Sequence, residues 1–439
     1  MRKNKFNALR SEIGFALLAR GVQGATMLAA ALCVAWRLSI EEQGLFFVFM
    51  SLGALLQLCD FGLSYAALQT ASHFRVADEN ARFGSFRTKA NQINSTVLSA
   101  AAISIGVLGA LIVSARPDAG RAELSWAGPW IGFIAAVFIA QLVNLEVVLI
   151  EGSRSAVVAW RLRLVQEVLG GCAFIAALLG GVGLWSLCVY WVVRLAIAAW
   201  WLRRDGIRFP PPENVGGAPF DWRRDVWPFQ WRIGLSGLSG FLIFQAFNPI
   251  VLIEQGASVA GKFGMSLAMM NMLLLVTTVW PLSQVSRYVG LIAQRKFREA
   301  QRAFWRMLAG SSAFAALLVF GLLLALWWMS EKEISLASRL ADLTTTSALL
   351  IAAVVHHVVI CFAVLLRAER REPLLLASVF GSLFTVLAVW FAARYGGLRD
   401  IALANLGCAL IGIPIVLTLY RRLTIRRLAD EKKLLSPPT

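Results

Sequence analysis

Charge is what this sequence has least of. Asp, Glu, Lys and Arg make up 15% of it, and the acids are the rarer kind, 25 against 42 bases. Soluble domains carry about 25% charged residues, so a soluble globular fold is excluded. The six cysteines, Cys33, Cys59, Cys172, Cys188, Cys361 and Cys408, fall inside apolar segments at spacings that suit neither zinc nor a disulfide framework. No metal and no cofactor is expected. The one nucleotide-like motif is a decoy. Gly256–Lys262 fits G-x-x-x-x-G-K, but Phe263 replaces the Ser or Thr that would hold magnesium, and no strand precedes it. Long polar loops are missing on one side of the chain, which argues against a membrane polymerase or glycosyltransferase with a soluble loop domain. No catalytic residue is expected.

Apolar sequence is what remains. Hydrophobic residues make up 58% of the chain and the mean hydropathy is +0.68. Twelve stretches reach the length of about 20 residues that a helix needs to cross a bilayer core. They lack the period-two alternation of barrel strands, and backbone in lipid must be satisfied within the segment. The expected class is an all-α integral membrane protein with 12 transmembrane helices. The net charge of +17 would suit a nucleic acid partner, but its distribution does not. Most of the Lys and Arg fall in segments on the side of the N-terminus, the positive-inside pattern, which puts both termini in the cytoplasm. Anionic membrane lipids are the expected partners of that excess, and nucleic acid is not. The basic N-terminus resembles the start of a signal peptide, yet Arg20 and Gln23 interrupt its apolar run and it reads as a retained first helix.

The chain reads as two halves. Residues 1–202 form an N-terminal six-helix lobe, 203–226 a linker with three consecutive prolines, 227–420 a C-terminal six-helix lobe and 421–439 a basic tail. Four short matches recur in order at a spacing of about 212 to 218 residues. Arg20–Gly24 matches Arg232–Gly237, Gly44–Phe46 matches Gly261–Phe263, Leu149–Arg154 matches Leu365–Arg370, and Trp201–Arg204 matches Leu419–Arg422. Six helices per lobe give both lobes one orientation, so the expected pseudo-two-fold axis runs along the membrane normal, with alternating access by rocking.

Ionisable residues inside spans are candidates for function. Arg20 and Arg232 occupy matching places near the starts of helices whose positive dipole ends share their depth, a setting for a phosphate or diphosphate. Gln23 and Ser236 share their polar stripes, while Gly234, Gly237 and Gly240 repeat at every third residue and would let neighbours approach closely. Arg194, mid-helix, reads either as cavity lining or as the partner of Asp60. Asp60 and Glu146 are candidates for ion coupling or for counter-ions, with the counter-ion reading of Asp60 favoured. His356 and His357 read as core histidines rather than as a titrating pair.

Four segments carry a family resemblance: Leu38–Ala66 (L-S-I-E-E-Q-G-L-F…D-F-G-L-S-Y-A), Gly181–Leu187 (G-V-G-L-W-S-L), Trp227–Gly237 (W-P-F-Q-W-R-I-G-L-S-G) and Arg394–Gly407. With them the chain resembles the polysaccharide, O-antigen (Wzx-type) flippases of the multidrug, oligosaccharidyl-lipid and polysaccharide exporter superfamily. The resemblance implies a V-shaped twelve-helix transporter in the bacterial inner membrane. It would carry an undecaprenyl-diphosphate-linked oligosaccharide from the inner to the outer leaflet, for lipopolysaccharide or related polymers, alongside glycosyltransferases and a polysaccharide polymerase. A cation-coupled multidrug exporter of the same superfamily is the alternative, but it would favour acids in its cavity, and the buried charges here lean basic.

Overall fold

The computed structural model describes the backbone of residues 2–77, 80–118, 125–153, 156–204, 221–368 and 374–435, with side chains described there except at 2–14, 16, 17, 20, 75–77, 80–82, 229, 286 and 426–435. Every element among them is helical. Two compact units emerge, the first of Met1–Phe241 with Gln255–Gly261, the second of Leu242–Glu254 with Lys262–Thr439. The first is built from α1 (Arg2–Arg37), α2 (Ile40–Leu58), α3 (Leu63–Ala77), α4 (Asn80–Ser114), α5 (Ala127–Ser153), α6 (Ala156–Leu179), α7 (Ser186–Arg204), α8 (Trp222–Asp225) and most of α9 (Trp227–Phe244). The second is built from α10 (Phe247–Gln255), the body of α11 (Ala257–Ser283), α12 (Val285–Ala293), α13 (Phe297–Glu331), α14 (Leu343–Arg367), α15 (Leu375–Tyr395) and α16 (Leu398–Leu435). Most of the expected linker lies outside the described residues.

Large apolar side chains point outward as well as inward. Ile103, Ile131, Leu317, Phe320, Leu376 and Phe380 are between 66% and 70% exposed, which suits contact with lipid. Ten helical stretches among the described residues are long and apolar enough to cross a bilayer, or eleven if Gln230–Phe244 and Phe247–Gln255, bent by 42°, form one span. Twelve were expected; α1 is outside this count because much of its first half lies outside the described side chains. The bend has a covalent cause. Pro249 has no N–H to give the carbonyl of Gln245, and the helices part at Gln245–Ala246.

Local chemistry starts and stops the other helices. Ser39 and Glu42 form a capping box on α2, with Ser39 Oγ accepting from Glu42 N at 3.0 Å and Ser39 N donating to Glu42 Oε2 at 2.9 Å. α2 ends in D-F-G-L-S, where Phe61 (φ 47°) and Gly62 (φ 79°) turn left-handed. The opening of α9 packs on this turn. A Cβ on Gly234 would lie 2.7 Å from the Phe61 carbonyl oxygen, and Gln230 Nε2 donates to the Asp60 carbonyl at 3.4 Å.

α2 also meets the first turn of α11, inside the first unit. A Cβ on Gly44 would sit 2.1 Å from the Ala257 carbonyl oxygen, and one on Gly261 2.2 Å from that of Ile40. Gln43 Nε2 donates to the Gly261 carbonyl at 2.7 Å. Between α4 and α5, buried Trp130 donates from Nε1 to the Gly106 carbonyl at 2.9 Å, in a seat kept open by Gly109.

The second unit is centred on an aromatic cluster of Tyr288, Phe304, Phe362 and Tyr420. Asp342 caps α14, accepting from the backbone N–H of Thr344 at 3.1 Å and of Thr345 at 3.2 Å and from both hydroxyls. Burial would push the Asp342 carboxyl up, but these donors together hold it below its ordinary range.

Candidate functional site

The first unit holds a cavity of about 630 Å³ lined by polar and apolar side chains together, a size typical of small-ligand sites, which run from about 300 to 1,000 Å³. Its walls follow helical spacing. Gln141 and Asn144, one turn apart on α5, share a face that ends at Glu151, while on α6 Trp160, Arg163, Gln166 and Glu167 fall at i, i+3, i+6 and i+7. α7 adds Trp191 and Arg194, α1 adds Gln23 and α2 adds Gln57.

Every charged side chain described in the wall is paired. Arg163 Nη1 lies 2.6 Å from Glu151 Oε2, with its guanidinium 4.8 Å over the Trp160 ring. Deeper in the spans, Arg194 forms an ion pair with Glu167 through Nη1 and Oε1. Tyr190 OH donates to Glu167 Oε2 at 3.1 Å and accepts from Arg194 Nη1 at 2.7 Å. The Arg194 guanidinium also lies 5.1 Å and 5.3 Å over the rings of Tyr190 and Trp191. Gly170 gives its stem room, since a Cβ there would meet Arg194 Cγ at 2.9 Å. A charge taken from water into a helix bundle is tolerated when paired and hydrogen-bonded, and both arginines meet that condition.

The residues singled out in the sequence are dispersed. Arg194 and Gln23 line the cavity. Arg194 pairs with Glu167 and not with Asp60, whose carboxylate accepts the backbone N–H of Gly62 at 2.8 Å and of Ser64 at 3.0 Å. Each Asp60 oxygen thus accepts one backbone N–H at the start of α3, and among the described residues no arginine pairs with it. Glu146 pairs with Arg87 at 3.0 Å and accepts from Asn91 Nδ2 at 2.7 Å. Arg232 is exposed, 5.5 Å over the Trp231 ring. Ser236 is half-buried on α9. The side chain of Arg20 lies outside the described residues. His356 and His357 are buried, facing Asn405 Oδ1 at 3.3 Å and Ser311 Oγ at 3.0 Å.

Sequence reasoning passed over Glu167, Arg163 and Gln166. The signal was available, because an acid in mid-span needs a cation at its own depth and Arg194 was already in view. Among the described residues no group of three or more His, Cys, Asp or Glu is placed to hold a metal ion.

Solved structures match nearly the whole chain. An inward-facing multidrug resistance MATE family transporter of the MOP superfamily is 15% identical, with 95% of this chain and 99% of that one covered and a TM-score of 0.65. An outward-facing form of such a transporter is 15% identical, with 96% of each chain covered and a TM-score of 0.57. A MOP superfamily transporter from Pyrococcus furiosus, described as having a binding pocket of reverse polarity, is 17% identical, with 96% of each chain covered and a TM-score of 0.54. No protein-family model and no curated protein matches the chain in sequence. The protein therefore has the helical fold of the MOP superfamily's MATE transporters. At these identities the likeness is one of fold.

Proposed function

We infer that the protein is an alternating-access transporter that moves an undecaprenyl-diphosphate-linked oligosaccharide from the inner to the outer leaflet of the bacterial inner membrane. In this reading α1 is a further span, the twelve spans form two six-helix lobes, and both termini are cytoplasmic. The chain is then not an enzyme, and it works beside glycosyltransferases and a polysaccharide polymerase that build the O-antigen or a related polymer.

The lack of a free acid in the described cavity wall carries the reading over its alternative. A cation exporter needs an acid left free for its substrate, yet Glu151 and Glu167 are each held by an arginine. The alternative, a cation-coupled multidrug exporter, is favoured by the multidrug transporters that share the fold. Arg20 and Arg232 are proposed to receive the diphosphate. An inside-negative potential favours its outward passage by about 2.3 kcal/mol per charge per 100 mV when the charge crosses uncompensated.

Deleting the gene decides between the two. The expected result is loss of surface polysaccharide with lipid-linked oligosaccharide accumulating in the inner leaflet. Unchanged polymer with increased sensitivity to lipophilic cations overturns the reading in favour of drug export.

A further inference from the structure

We propose that the cavity of the first unit is a binding site for a neutral saccharide unit, held by side-chain amides and by the indole rings of Trp160 and Trp191. The proposal rests on the reading above for the source of its ligand. Its chemistry comes from the wall itself.

Four amides leave hydrogen-bonding groups open. Asn144 Nδ2 donates to Gln141 Oε1 at 3.4 Å, Gln166 Nε2 to the Arg194 carbonyl at 2.9 Å, and Gln57 Nε2 to the Gly53 carbonyl at 3.3 Å. Among the described residues Gln141 Nε2, Asn144 Oδ1, Gln166 Oε1 and Gln57 Oε1 make no further hydrogen bond, and none is sealed from the cavity. An amide is both donor and acceptor, and whichever way each is turned the set offers both. A sugar hydroxyl also gives and accepts. Gln141 and Asn144, a turn apart on α5, match two neighbouring hydroxyls of one ring.

The indoles supply the second half of a sugar's surface, its apolar C–H face. Each has a guanidinium over its ring, Arg163 on Trp160 and Arg194 on Trp191, and these guanidiniums are fixed by Glu151 and Glu167. The rings are thus held in place before a ligand arrives, which limits the ordering cost of binding. With the four charges spent on one another, neither a lipophilic cation nor a phosphate finds a free counter-charge in the described wall. A neutral, hydroxyl-rich ring matches what remains.

The test is photo-crosslinking in membranes of the native host. p-Benzoylphenylalanine replaces Val143, which lines the cavity, or Ile131, which is 69% exposed on α5, and adducts are read by mass spectrometry. At position 143 the expected adduct carries neutral hexose or N-acetylhexosamine mass, and at 131 only phospholipid. Gln141→Ala with Asn144→Ala should lower the 143 adduct by about tenfold at unchanged membrane abundance, as removal of two polar contacts implies. A 143 adduct of phospholipid, of a drug-like cation or of a uronic acid overturns the site, and so does no adduct there while position 131 reacts. If gene deletion abolishes surface polymer but position 143 yields no sugar, the site falls and the flippase stands. If sugar is captured but deletion leaves the polymer intact, the flippase falls and the site stands.

Discussion

Arg194 shows how a buried charge is read from its partner. Replacing it with Ala leaves the Glu167 carboxylate in the span with only Tyr190 as a donor, and stranding one member of a buried pair costs about 3–5 kcal/mol. Arg194→Ala should melt well below wild type in detergent. Glu167→Gln combined with Arg194→Met should melt closer to wild type, since no charge is stranded, and the two effects should be strongly non-additive. A double variant as unstable as Arg194→Ala would show that the pair is not what matters. At this scale the sequence was partly legible. An arginine eight residues from one end of its helix and ten from the other demands an explanation, and the cavity supplies it. Of the two readings left open for it, cavity lining and a partner for Asp60, the structure shows it lining the cavity, with Glu167 as its partner. The segment D-F-G-L-S already signals a turn in which the aspartate caps the next helix, so its carboxylate was committed to backbone.

Helices were legible wherever hydropathy decides them, and their breaks were not. The D-F-G-L-S turn parts α2 from α3, but the left-handed Phe61 at its centre lies against α9, a long-range contact that no local pattern announces. Glycines show the same limit. Gly234, Gly237 and Gly240 recur at one spacing, but only Gly234 is in forced contact; the nearest atom to a Cβ on Gly237 is 3.4 Å away and Gly240 has nothing within 4 Å. Gly240→Ala should therefore be neutral or stabilise by up to about 1 kcal/mol through helix propensity. Gly44→Ala and Gly261→Ala drive a methyl into backbone carbonyls that cannot rotate away, at a cost of about 1–3 kcal/mol or more. Thermal melting of the three purified variants separates the cases. Equal losses in all three would mean that the spacing, and not the contact, sets the requirement. The pair Gly44 and Gly261 was also one of the four repeat matches.

For the whole molecule, the repeat in the sequence sets Arg20 and Arg232 in equivalent places, and this equivalence carries the diphosphate proposal. Arg232 differs from Arg163 and Arg194 in one respect that bears on it: among the described residues no carboxylate pairs with its guanidinium, which rests on Trp231. A free arginine near the start of a helix has two explanations, a stem that lets its head reach the lipid headgroups or a fork waiting for a bidentate anion. Lysine separates them. It snorkels as well as arginine, but as a point charge it cannot reproduce the planar fork. Under the transport reading, Arg20→Ala and Arg232→Ala each lower surface polysaccharide while membrane abundance stays intact, and Arg232→Lys restores little of it. Full export by Arg232→Lys would reduce the residue to a headgroup anchor, and full export by both alanine variants would remove the anion site altogether. The second outcome would still leave the amide-lined cavity to its own test, because its charges are balanced without either residue.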